Sequence, residues 1–140
     1  MKSHLKTLAP VLLLAFGAPW LNAQITNEIK AHVDHSFMIG NTTLPAGDYT
    51  FRMMQDSNLS LMTAANNGSK ASVEFVVQQT VDNHRPAHSE LVFRKYGNVE
   101  ILHKIFERGQ STGAEVTETN REEARLAKTA QPVEHSEEQK

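Results

Sequence analysis

The sequence predicts a mainly β domain, a small antiparallel β-sandwich or barrel of about six to seven strands with one short C-terminal helix and a disordered tail. Three observations point there. Apolar residues alternate with a period of two through several runs, as half-buried strands require. Turn chemistry rich in Gly, Pro and Asn separates those runs. Helical spacing occurs once, near the C-terminus, and a succession of strands with short turns makes a sandwich or small barrel.

From Ile29 to Ile39 the odd positions read Ile, Ala, Val, His, Phe, Ile and the even ones are mostly polar, which predicts one long strand. Gly40 to Thr43 closes it, and Leu44-Pro45-Ala46-Gly47-Asp48 forms a tight turn, because proline presets φ. Tyr49, Phe51 and Met53 share one side of the next strand. After Asp56-Ser57-Asn58, residues Leu59 to Met62 make a short third strand, and Asn67-Gly68 turns the chain into a fourth over Ala71 to Val77. Asp82 to His88, which contains Pro86, is a loop.

Glu90–Tyr96 and Val99–Phe106 form a hairpin around Gly97-Asn98. Val99, Ile101, His103 and Ile105 lie on one face of its second strand and Leu102 and Phe106 on the other, which marks a central strand. Gly109 to Gly113 breaks the pattern. Thr119 and Glu122 have capping-box spacing, so a helix is expected over 119–130, too short to stand alone and docked, if at all, through Leu126. Residues 131–140, with Pro132 and several glutamates, read as the disordered tail.

Ahead of these elements, Lys2 and Lys6 precede an apolar run from Leu8 to Leu21, and Ala23 supplies a small residue before Gln24. That order is a secretory signal peptide over 1–23, leaving a β domain over 24–118. The apolar run falls short of the ~20 residues a spanning helix needs. With no cysteine in the chain, neither a cysteine-linked lipid nor a disulfide is available. A secreted or periplasmic domain without a membrane anchor is expected, held by its apolar core alone. Both lysines of the leader would be lost, leaving 12 basic against 16 acidic residues, a net charge of −4 with neutral histidines. Such a domain lacks the basic cluster that nucleic acid or an anionic membrane demands.

Candidate chemistry is sparse. His32 and His35 stand three apart on the expected strand, so they point to opposite faces and cannot share a metal without a bulge. His84 and His88 flank Pro86, and with His103 they are the candidates for a three-nitrogen zinc site. Ser36, Ser60, Ser72 and Ser89 have no surround that marks a nucleophile, and no Gly-x-Ser-x-Gly elbow occurs. No catalytic residue and no cofactor is assigned, and the expected protein is not an enzyme. Tyr49, Phe51, Phe75, Phe93, Tyr96 and Phe106 are expected to fill the core rather than to line a binding strip. Asn41, Asn58 and Asn67 begin Asn-x-Ser/Thr triplets, read as chance in loop composition rather than as glycan acceptors.

Three blocks carry a family resemblance: Phe37 to Asn41 leading into Leu44 to Thr50, Leu91 to Gly97, and Gly113 to Glu115 with the Thr119–Lys128 segment. In order and spacing they resemble a group of small exported β-proteins of unassigned function common in acidobacteria. Members carry an aromatic-rich strand ending in tryptophan where this chain has Ile101 to Phe106. The resemblance implies a β domain of the cell envelope or the extracellular space and transfers no functional residue. A protein-interaction or structural module is the expected function, with an envelope or extracellular protein as partner and the terminal helix, the tail or a strand edge as contact. A small histidine-dependent metal-binding protein or hydrolase is the alternative.

Overall fold

The computed structural model describes residues 28–54, 60–118 and 120–139. The expected leader over 1–23 lies outside them, as do Asn58 and Thr119. Among the described residues the chain forms ten strands and one helix: β1 (Ile29–Val33), β2 (Phe37–Ile39), β3 (Thr42–Leu44), β4 (Gly47–Met53), β5 (Leu61–Asn66), β6 (Ser72–Val81), β7 (Ser89–Tyr96), β8 (Val99–Phe106), β9 (Thr112–Val116), α1 (Arg121–Leu126) and β10 (Val133–Gln139). No helix among them is long and apolar enough to cross a membrane.

Two sheets share β6. One runs β1-β4-β5-β6, and in it Leu61–Ala65 of β5 pairs with Ser72–Val76 of β6. The remainder of β6, Val77 to Val81, pairs with β9 in the second sheet. There β8 is central and buried on both faces, but a bulge at His103 changes the expected faces: Leu102 and Ile105 share the core side, and Ile101 and Phe106 the other. The strand pairs with β7 along one edge and with β9 and β2 along the other, while β10 flanks β7. All pairings are antiparallel except that of β2 with β8, through Met38 and Ile101. Between the sheets lies the core, in which Phe37, Tyr49, Phe51, Phe75 and Phe93 are all at most 1% exposed. Of the aromatics expected there, Tyr49, Phe51, Phe75 and Phe93 fill the core, whereas Tyr96 and Phe106 are buried outside it, beside Glu123 and His84. Phe37 meets Tyr49 and Phe93 edge to face at 5.1 and 5.7 Å, a packing that adds to simple burial.

Several expectations are corrected. The sheet does not close, so the barrel alternative fails; β1 and β10 approach each other as edges without a ladder between them. Ten strands replace six to seven. The long strand over 29–39 is two, because the bend at Asp34-His35-Ser36 carries the chain from one sheet to the other. Its apolar alternation keeps phase across the bend, so periodicity alone does not reveal the break. The supposed break over 109–113 runs into β9, where Gly113 is buried against β8. A Cβ there would collide with the Ile105 carbonyl oxygen and stand 2.6 Å from the Phe106 ring, so glycine permits the two backbones to close. Residues expected to be a disordered tail form β10, which pairs with β7 from Val133↔Lys95 to Gln139↔Ser89.

The expected helix over 119–130 is shorter, and its cap is one residue on. Asn120 is the N-cap, its side chain accepting from the Glu123 amide at 2.9 Å. No residue of α1 itself is buried, and Leu126 is half-buried. Asn120 is 3% exposed and donates to the Gly40 carbonyl, and Arg121 N–H donates to Asn41 Oδ1 at 2.9 Å. The helix is attached to the β2–β3 turn by its polar start.

Candidate functional site

The three histidines singled out as a zinc site do not bring their ring nitrogens all within 4.8 Å of one another. His84 is half exposed, with Nδ1 3.1 Å from Asp82 and Nε2 3.0 Å from the buried Glu90. Those carboxylates, Glu90 foremost, raise its pKa above the ordinary histidine value. His88 is exposed. His103 is buried, and its Nε2 accepts from Arg94 Nη2 at 2.9 Å. Since an arginine can only donate, the neutral ring carries its proton on Nδ1. Nor do His32 and His35 share a site: His32 Nδ1 meets Asp48 at 2.7 Å, while His35 faces elsewhere.

A different cluster forms where β1 and β10 approach. His35 lies on the bend between β1 and β2. Its Nδ1 is 2.9 Å from Asp34 Oδ1 and 3.5 Å from Glu137 Oε1. One donor atom from each of these residues lies within 4.8 Å of the others, and among the described residues this is the trio of potential metal ligands that converges so closely. The ring of His35 is fixed by an edge contact to Phe93 at 5.2 Å. Its Nε2 is buried with no hydrogen-bond partner, which leaves Nδ1 as the atom that faces the carboxylates.

β10 supplies the other wall. In antiparallel register His135 lies opposite Phe93 and Glu137 opposite Leu91, so both turn toward the core side of the sheet. His135 stacks on Phe93 at 5.6 Å, and its Nε2 meets Glu100 Oε2 at 2.7 Å. Lys95 Nζ reaches the other oxygen of Glu100 at 3.1 Å. Burial pushes the Glu100 carboxyl up, and these two hydrogen bonds outweigh it, so its pKa falls below the usual carboxylate range. Burial also raises Glu137, with His35 opposing and Asp34 adding to the rise. The His35 hydrogen bond lowers Asp34.

Above the cluster a groove of about 750 Å³ opens to solvent between the β1 and β10 edges. Lys30, His32, Asp34 and Asp48 line one side, Glu137 and Glu138 the other. A hydrogen bond from His32 N–H to Gln139 Oε1 at 2.7 Å spans it. Two of the Asn-x-Ser/Thr asparagines have structural tasks instead: Asn41 takes the α1 amide, and Asn67 Oδ1 accepts from the Thr50 hydroxyl at 2.9 Å. Ser89 Oγ accepts the Arg108 amide at 3.3 Å.

Sequence reasoning missed Asp34, Glu137 and His135. A strand-like phase of His135, Glu137 and Gln139 was the one signal available, and it is polar where a strand signal is usually apolar. Comparison with protein-family models, with curated proteins and with solved structures found no match.

Proposed function

We propose that this protein is an exported, non-enzymatic binding domain that holds an extended, basic segment of an envelope or extracellular protein along the groove between β1 and β10. One observation carries the reading: the seam leaves one edge of β1 and one of β10 without a strand partner, beside a groove rich in carboxylates. Backbone edges without a strand partner give an extended peptide hydrogen bonds wherever their amides are free, the His32 amide being already taken by Gln139, and the flanking side chains select its sequence. Asp34, Asp48, Glu137 and Glu138 outnumber Lys30 there, which favours a basic partner. The leader-like first 23 residues and the resemblance to exported acidobacterial β-proteins support the location.

The test is affinity capture of the tagged 24–140 chain from its native envelope fraction, beside a chain carrying Asp48→Lys and Glu138→Lys. Both positions are exposed, so the variant keeps its fold. The unaltered chain is expected to enrich a partner that the variant loses, with cross-links mapping to a Lys- or Arg-rich stretch. Recovery of the chain alone, or equal capture by both, overturns the proposal.

A further inference from the structure

We infer that Asp34, His35 and Glu137 form a binding site for a divalent transition-metal cation of the zinc class. The donor set is one imidazole nitrogen and two carboxylate oxygens, the three-ligand pattern that leaves a further position of the metal open to water or a ligand. Their spacing fits. Ligands about 2.0–2.1 Å from a tetrahedral ion stand about 3.3–3.4 Å from one another. The observed separations from Nδ1 are 2.9 and 3.5 Å, so small rotations bring the atoms to coordinating positions. Asp34, whose side chain is 81% exposed, is free to make the largest adjustment.

Hydrogen bonding alone does not complete this cluster. Two carboxylates converge on one ring nitrogen, which carries at most one proton, so only one of them receives a full hydrogen bond. A cation at the centre satisfies both oxygens and the nitrogen lone pair together, and offsets two carboxylate charges whose ligand atoms lie within 4.8 Å of one another. The groove provides an entry path. An imidazole ligand selects zinc and its neighbours in the transition series over magnesium and calcium, which take oxygen ligands. Because Asp34 and His35 lie on the β1–β2 bend and Glu137 on β10, a bound ion ties the C-terminal strand across the seam to the first sheet.

Zinc titration needs no protein partner, so it stands or falls apart from the proposed peptide binding. The 24–140 chain, stripped with chelator, is titrated with zinc chloride by calorimetry and melted with and without zinc. One equivalent should bind with a dissociation constant in the micromolar range or tighter and raise the Tm. Glu137→Gln and Asp34→Asn should each weaken binding at least tenfold, with the metal-free Tm of the exposed Asp34→Asn variant unchanged. His84→Gln and His88→Gln should leave it intact, and magnesium should not compete. The ring nitrogens of His35 should shift in the NMR spectrum on adding zinc. Absence of saturable binding below millimolar zinc overturns the site. Binding that survives in a chain with both Asp34→Asn and Glu137→Gln, or that disappears in His84→Gln or His88→Gln, overturns it equally.

Discussion

The register between β7 and β8 shifts after Val92, where Lys104 and Leu102 oppose consecutive residues and His103 is left as the extra residue of a bulge. Bulges re-aim side chains, and the His103 ring turns to Arg94, which also meets Glu123 Oε1 at 3.2 Å. Burial first, and the Arg94 charge next, hold the His103 pKa below its ordinary value of 6.5; Lys104 adds to this, while Glu115 and Glu134 oppose it. The unfolded chain therefore takes up this proton before the folded one does. Above about pH 6.5 both forms are neutral and the fold has its full stability; as the pH falls from there toward the folded pKa, stability is lost. Urea midpoints between pH 7.5 and 5 should fall less in His103→Gln, which keeps an acceptor for Arg94 and cannot be protonated. Parallel pH profiles would exclude this assignment. At Gly113 the limit is steric. Gly113→Ala forces β8 and β9 apart at Ile105, and overpacking of this kind costs about 1–3 kcal/mol. An unchanged urea midpoint for that variant would contradict the close approach.

Strand β10 shows most clearly what an element needs before its sequence announces it. Its inward positions are His135, Glu137 and Gln139, half-buried, and its outward ones are exposed, so the period of two is present without an apolar stripe. A strand held by a backbone ladder and polar contacts leaves no hydrophobic signature, and a glutamate-rich end after Pro132 reads as a solvated tail. If β10 is formed, the amides of residues 134–138 that face β7 should exchange with solvent at least tenfold more slowly than those of a free peptide of the same sequence. Deleting 131–140 should in turn raise exchange in β7. Exchange of the terminal segment at the free-chain rate would remove β10 and with it the Glu137 wall of the site. The elements that were legible had local causes. The β7–β8 hairpin follows from two apolar runs around Gly97, whose φ of +60° suits a tight turn. The turn before β4 follows from Pro45 and is locked by the Tyr49 hydroxyl donating to the Pro45 carbonyl at 2.5 Å. The site was not legible because His35 and Glu137 meet only once the seam exists, and no local spacing encodes a meeting between the two ends of the chain.

Across the whole molecule, the described residues start at Glu28, beyond the leader-like segment. Glu28 already pairs with Arg52 of β4 at 2.8 Å, and β1 starts at Ile29. Among the described residues the buried core cluster of this cysteine-free chain runs from Ile29 to Ala114. Removal of the leader-like segment would take Lys2 and Lys6 with it and leave a more acidic chain, in keeping with the carboxylate-lined groove. When the full-length chain is expressed with an intact export pathway, the protein recovered outside the cytoplasm should begin at Gln24. Its melting temperature should match that of a 24–140 chain refolded on its own. A recovered N-terminus at Met1 in the membrane fraction would instead mean that the apolar run is retained as an anchor. The groove would then face partners from a membrane surface, and the charge available to it would include the two lysines now assigned to the leader.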